Sequence, residues 1–493
     1  MRSEIGKGVT WMVLLRAGDR MLGIVSMLVL ARLLTPEDFG LVAMAMSVIA
    51  VIELATALGF DVPLINKESP NRVEFDTAWT LTIIVYLSCA LVIALLAVPM
   101  AHFFGEPRLT LALWVIVGGW MLNGLENVGT VEFRRQMKFS KEFVFRGLKR
   151  LIGFLVTIIS AIIFRSYWAL IAGMVAGSVA GVVLSYVLAP YRPRFALGAA
   201  RELFSYSKWL LSNNAVLVGI VRFPHFLIGR LLGAQSLGVY TLAYDIATMP
   251  ATELSAPVNR AAYPGYARLV SEPEAFKKTF MDIGALVVAI ALPAGVGLAL
   301  VAEELVLVAL GQQWAAAAPL MEILAISAVF VAATGNNGIA HLALGYAKAV
   351  TVQSALRLIV LVLLSVALID EWGVQGIALA ELCGAVACFV ASFPLIFRRL
   401  EIRISEYLSY NWRPVFASLV MSVAVLGVKT AVDETDSFGG SAFVVATAVP
   451  TGVLVYSASL YVLWRLSKRP EGAERVLLNK LNGAGISMRR SCV

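Results

Sequence analysis

Residues 31–42 read ARLLTPEDFGLV, and 198 residues further on, residues 229–240 read GRLLGAQSLGVY. Arg32, Leu33, Leu34 and Gly40 match Arg230, Leu231, Leu232 and Gly238 without a gap, and the same offset pairs Trp11 with Trp209 and Ala45 with Ala243. In each copy one long apolar segment ends, a short turn follows and a second apolar segment opens. A unit repeated in this way predicts a duplicated bundle. Many membrane transporters are built so, with the substrate held between the halves.

Working outward, 59% of the 493 residues are hydrophobic and 15% are charged, whereas a soluble domain carries about 25% charged residues. Apolar runs long enough to cross a bilayer as helices recur along most of the chain. They predict an all-α, polytopic membrane protein of about 14 transmembrane helices, at roughly 10–33, 39–66, 77–104, 108–131, 143–164, 167–190, 205–232, 237–265, 277–301, 315–343, 349–369, 373–397, 412–430 and 441–466. Six spans separate the two copies of the repeat, so both point the same way across the membrane. The expected division is a six-helix bundle over 1–190, a cytoplasmic linker over 191–204, a second, pseudo-symmetric six-helix bundle over 205–399, an additional helix pair over 400–466 and a cytoplasmic tail over 467–493.

Lys and Arg concentrate in alternate loops. Lys67 and Arg72, then Arg134, Arg135, Lys138 and Lys141, then Arg192, Arg194 and Arg201 fall on one side; acids such as Glu37, Asp38, Glu303, Glu304, Asp370 and Glu371 fall on the other. Positive loops stay inside, which places both termini on the cytoplasmic side. This bias accounts for the net charge of +8 without a nucleic-acid partner. The first apolar segment is too long and too charged for a cleaved signal, and reads as a retained helix. Cys89, Cys383, Cys388 and Cys492 lack the spacing of a disulfide framework or metal site.

Charges at membrane depth are costly and usually face a cavity or a partner. Arg16, Asp19 and Arg20 share one face of the first span. Glu53 and Asp61 lie in the second, Asn214 and Arg222 in the seventh, and Asp245, Glu253 and Arg260 in the eighth. The third, fifth and sixth spans read as poor in mid-membrane charge. Two readings stand side by side. Either a wet cavity between the halves uses Arg16, Arg20, Arg222 and Arg260 to hold an anionic group, or ion pairs such as Arg20 with Asp61 pin the helices together. Arginine suits a pyrophosphate, because its planar fork gives paired hydrogen bonds to phosphate oxygens. Asp19, Asp61, Asp245 and Glu253 are the corresponding charge partners or ion-coupling acids. Arg357 is a further, more peripheral cation. The glycines at 173, 177 and 181 predict close helix packing. Asn336 and Asn337 either unwind a turn or hydrogen-bond neighbouring helices.

No Walker GxxxxGK[ST], GxSxG or HExxH motif occurs. His102, His225 and His341 are scattered, so no metal site, no cofactor and no enzymatic centre are expected.

The stretch GVTWMVLLRAGDRMLGIVSMLVLARLLTPEDFGLVAMAMSVIAVIELATALGFDVPLI, with LARLLTPEDFGLVAMA at 30–45 as its hallmark, resembles the Wzx-like polysaccharide flippases of the multidrug/oligosaccharidyl-lipid/polysaccharide exporter superfamily. It is most similar to the branch that exports colanic acid and related exopolysaccharides. The resemblance covers almost the full chain. It implies translocation of an undecaprenyl-pyrophosphate-linked oligosaccharide by alternating access through a cationic cavity, coupling to an H⁺ or Na⁺ gradient, and a polysaccharide polymerase and chain-length regulator as partners. The related lipid II flippases use arginines of their first helices, and Arg16 and Arg20 are similarly placed. The alternative is an ion-coupled exporter of small molecules from the same superfamily, for which an acid-dominated cavity is expected. A membrane glycosyltransferase would need larger outer loops than this chain has.

Overall fold

The computed structural model describes residues 2–53, 60–67, 70–200, 211–432 and 438–467, and these are helical with no strand among them. Residues 468–493 of the expected tail and the acids at 433–436 lie outside the described residues, as do residues 201–204 of the linker and the side chains of Asp61 and Asn214. Nine described stretches are long and apolar enough to cross a membrane. Four long helices fall outside that set: α1 (Arg2–Leu33), α2 (Pro36–Glu53), α9 (Leu211–Leu231) and α10 (Gly233–Leu269). They are the first two helices of each predicted half and carry most of the charges singled out as candidates from the sequence.

Packing divides the chain into two compact units, Met1–Thr241 and Leu242–Val493. Unit 1 holds α1 and α2, the short α3 (Asp61–Asn66), α4 (Arg72–Phe104), α5 (Arg108–Met121), the single turn α6 (Val131–Arg135), α7 (Phe139–Phe164), α8 (Trp168–Leu188), α9 and the start of α10. Its outer faces are apolar at helical spacing: Leu87, Leu91 and Leu95 on α4 are 54%, 60% and 69% exposed. Residues four apart lie on one stripe, and such a stripe suits contact with lipid. The start of the linker lies along α4. The Tyr191 hydroxyl donates to Asp76 Oδ1 at 2.7 Å, Arg194 N donates to the same oxygen at 2.9 Å, and Ala196 N donates to Thr80 Oγ1 at 3.0 Å.

The two copies of the repeat meet inside unit 1. A Cβ at Gly40 would overlap the carbonyl oxygen of Ala234, and a Cβ at Gly238 would overlap that of Pro36. Position 234 is 36 shifted by the repeat offset, and 238 is 40 shifted likewise. The contact is therefore reciprocal, as across a local two-fold axis. Without hydrophobic driving force in lipid, helices associate by close backbone approach at small residues, with Cα–H groups against carbonyl oxygens.

Unit 2 comprises the rest of α10, then α11 (Pro273–Leu300), the short α12 (Ala302–Leu305), α13 (Ala318–Ala343), α14 (Ala347–Ala391), α15 (Phe393–Arg399), α16 (Ile404–Thr430) and α17 (Phe438–Leu466). α14 is two helical arms folded at Gly373, whose φ of 54° and ψ of −132° suit glycine. Buried Tyr266, Phe276, Phe280 and Met281 form one core cluster of this unit. Asn336 and Asn337 stay helical. The Tyr266 hydroxyl donates to Asn336 Oδ1 at 2.7 Å, and Asn337 Nδ2 donates to Ser392 Oγ at 2.6 Å. Of the two readings of these asparagines, bonding between helices is the one observed.

Candidate functional site

Unit 1 holds an open cavity of about 630 Å³ among α1, α2, α5, α7 and α8. Its charged lining is Asp19 of α1 and Arg146, Lys149 and Arg150 of α7. These three bases fall at i, i+3 and i+4, and Gly153, Phe154 and Thr157 continue the same face. The opposite wall is the small-residue face of α8. Gly153 and Gly173 meet backbone to backbone: a Cβ at Gly173 would lie 2.9 Å from the Gly153 carbonyl oxygen. Gly181 leaves room for a side-chain pair instead, since a Cβ there would lie 2.9 Å from Lys149 Nζ. The expected close packing by these glycines is observed, and Gly181 also seats one of the cavity's ion pairs.

The bases differ in commitment. Lys149 is paired with Glu126 Oε1 and also donates to Asn123 Oδ1 at 3.2 Å. Arg146 Nη2 lies 3.0 Å from Glu142 Oε1, a buried carboxylate that also faces Arg134 Nε at 3.5 Å. Arg150 is exposed, and neither it nor Asp19 makes an ion pair with any described residue. Arg150 Nη2 reaches α1, where a Cβ at Gly23 would lie 3.7 Å from it. With Lys149 and Arg146 partly neutralised, the cavity presents one uncommitted guanidinium and one uncommitted carboxylate to an incoming group. A guanidinium held in this way forms charge-assisted bonds to a phosphate.

The residues expected from sequence are distributed over both units. Asp19 lines the cavity. Arg16 lies one turn away on α1 and is exposed, and Arg20 is half-buried beside it. Arg222 of α9 is half-buried in unit 1, close to the buried His225, which stands edge-on to Tyr240 at 6.0 Å. Asp245 (exposed), Glu253 (half-buried) and Arg260 (exposed) follow along α10 in unit 2. Asp61 begins α3. Arg357 is nearly enclosed and is paired with the buried Glu381 of the other arm of α14, so its charge is already matched.

The sequence reading passed over Arg146, Lys149 and Arg150 because the fifth span was judged poor in charge. They look like the basic end of an apolar helix. α7 begins at Phe139, so they lie two to three turns inside it. Their i, i+3, i+4 spacing on the face continued by Gly153 and Thr157 was the available signal.

Unit 2 holds a cavity of contrasting chemistry. It has a volume of about 360 Å³, lies between α11, α16 and α17, and is lined by Pro293, Gly297, Met421, Ala448 and Gly452 with no charged residue. Among the described residues no group of three or more His, Cys, Asp or Glu is placed to hold a metal ion.

A family model described as "Polysaccharide biosynthesis protein" matches residues 29–319. The chain is 25% identical over 328 residues to the succinoglycan biosynthesis transport protein ExoT of Rhizobium meliloti (strain 1021), a match covering 66% of each chain. It is 23% identical over 341 residues to the lipopolysaccharide biosynthesis protein WzxC of Escherichia coli (strain K12), covering 66% of this chain and 67% of the relative. Matches to these two relatives thus span about two thirds of their length. In fold, the chain resembles the lipid II flippase MurJ in an inward closed conformation, with a TM-score of 0.73 at 13% identity, covering 93% of this chain and 100% of that one. The family match begins just before the first copy of the repeat and runs through the second and well into unit 2. A multi-pass helical membrane protein with a charged cavity inside its first bundle, this chain belongs to the polysaccharide biosynthesis protein family.

Proposed function

We propose that this protein is a flippase that carries undecaprenyl-pyrophosphate-linked oligosaccharide repeat units across the bacterial inner membrane for exopolysaccharide or lipopolysaccharide synthesis. The observation that carries the reading is the unit 1 cavity. A lipid-facing bundle has little reason to keep three bases around an open volume unless an anion enters it, because charges at this depth are costly. In this reading Arg150 meets the pyrophosphate first, and Lys149 and Arg146 strengthen the site as they turn from Glu126 and Glu142. Arg16, Arg20 and Arg222 of unit 1 and Arg260 of unit 2 are further candidate cations for the headgroup. The apolar cavity of unit 2 has the chemistry to accept hydrocarbon. The relatives named for succinoglycan and lipopolysaccharide synthesis support a saccharide cargo. The basic cavity supports an anionic group over the small cations of the alternative exporter reading.

An alternating-access cycle follows, with the cavity opening to each face in turn and a gradient of H⁺ or Na⁺ resetting it through acids such as Asp19, Asp61, Asp245 or Glu253. In this reading the positive loops face the cytoplasm, and both termini with them. A polymerase and a chain-length regulator would take the cargo on the outer side. Nothing in this reading calls for bond-making chemistry.

The test is Arg150→Glu in a strain lacking the native gene. Arg150 is exposed and holds no ion pair among the described residues, so the amount of protein in the membrane should not change. Losing a charge-assisted bond to the headgroup should cut polymer export about tenfold or more, with lipid-linked oligosaccharide accumulating on the inner leaflet. Arg150→Lys should retain part of the activity. Full export by Arg150→Glu would remove the headgroup site.

A further inference from the structure

α5 ends at Met121 and passes into a single 3₁₀ turn, Leu122–Leu125, after which the chain extends at Glu126 with a φ of −56° and a ψ of 141°. Breaks of this kind are frequent where a helix serves a site. The next residue is an anchor. Asn127 is 0% exposed; its backbone N donates to Ser185 Oγ at 2.9 Å, its Nδ2 donates to the Tyr191 carbonyl at 2.6 Å, and its Oδ1 accepts from Gly129 N at 2.9 Å. The backbone that carries Glu126 is thereby fixed. Gly181 of α8 leaves space for the carboxylate, since a Cβ there would lie 2.3 Å from Glu126 Oε1.

Glu126 has one ionic partner among the described residues, Lys149. The neighbouring acid is held differently. Glu142 faces Arg146 at 3.0 Å and Arg134 at 3.5 Å, so it keeps a base when Arg146 swings away. Glu126 keeps none when Lys149 leaves. Its side chain is only 23% exposed, and a carboxylate stripped of its base in such a place is poorly solvated. Lys149 is a compact charge on a long flexible stem and can move. Any bond between Lys149 and an entering anion is therefore opposed by a carboxylate that stays in place and draws the ammonium back.

We propose that Glu126 is the release residue of the headgroup site, a resident counter-anion that gives up Lys149 when a diphosphate enters and reclaims it to expel the diphosphate on the far side. A transport site must bind well enough to load and weakly enough to unload. Three bases with no internal competitor would favour loading alone. The assignment rests on the flippase reading for the identity of the anion. Glu126 acts through Lys149, as a positioning residue.

The experiment measures affinity of the purified full chain for inorganic pyrophosphate and for farnesyl diphosphate by calorimetry, beside polymer export in a strain lacking the native gene. Glu126→Gln keeps the shape, removes the charge and frees Lys149. Affinity for both probes should rise about fivefold, while export falls about fivefold at an unchanged amount of protein in the membrane. Glu126→Asp draws the carboxylate back and should shift both in the same directions by less. A residue that only ties its loop to α7 would weaken binding and export together, or neither; tighter binding with slower export is the signature of a release residue. In a Lys149→Met background Glu126→Gln should change binding no further, because the two residues act as one unit. The counter-anion is overturned if Glu126→Gln binds pyrophosphate no more tightly than the native chain, if its export is unimpaired, or if it still tightens binding in Lys149→Met. Those results leave the headgroup site standing wherever the native chain binds the probes and Arg150→Glu does not. If neither the native chain nor Glu126→Gln binds either probe, the headgroup site falls and the counter-anion with it. Should Glu126→Gln fail to accumulate, Glu126→Asp decides by the same criteria.

Discussion

Arg150 and Glu106 show how differently single charges are used in this molecule. Arg150 lines the cavity and makes no ion pair with a described carboxylate, so its removal should affect transport and spare stability. Glu106, in the turn between α4 and α5, is held below the usual carboxylate range mainly by hydrogen bonds from Arg108, against the opposing effect of burial. A depressed folded-state value stabilises above the ordinary carboxylate pKa of about 4.3, and the benefit is lost as pH falls through the folded value. Glu106→Gln should therefore lower the melting temperature slightly at pH 7 and make little difference at pH 3. Arg108 is 45% exposed, so solvent screening keeps the effect below about 1 kcal/mol. Equal effects at both pH values would show that the turn is held by something other than this carboxylate. The buried acids Glu142, Glu304 and Glu381 are each paired with a base.

At the scale of elements, glycines decide where helices meet and where they fold back. The two arms of α14 return on each other at Gly373, and Gly376 and Gly384 then let them close. A Cβ at Gly376 would lie 2.7 Å from the Leu368 carbonyl oxygen, and one at Gly384 would lie 3.1 Å from that of Arg357. Gly373→Ala forces a side chain into a backbone region reserved for glycine and should cost about 1–3 kcal/mol. A fall in detergent melting temperature measures it; an unchanged value would mean that the arms, not the turn, set the geometry. Much of this was legible in the sequence: Gly373 marked a join, and the run Gly173, Gly177, Gly181 marked close packing. The partners were not legible. That Gly181 accommodates Glu126 with Lys149, and that Gly40 meets a residue almost 200 positions away, depends on side chains brought together only by the folded bundle.

For the whole molecule, the proposed orientation can be checked directly. A reporter active only outside the cytoplasm, inserted between Asp370 and Glu371, should be active; the same reporter fused after Lys348 should be silent. The reverse pattern would invert the topology. Apolar stripes on α4, α7 and α16, such as Leu419 and Val423 at 60% and 72% exposure, match a surface dissolved in lipid. The charged volume lies inside unit 1.

Hydropathy, the placement of Lys and Arg and the repeat at 31–42 and 229–240 were enough to establish helices, membrane and duplication, because each is a local property that accumulates along the chain. Which cations remain uncommitted, why α7 rather than α1 supplies most of the cavity's charge, and that the two repeats grip one another were decided by tertiary structure. Pairing and close approach depend on distances between residues remote in sequence, and a linear pattern does not encode them in readable form.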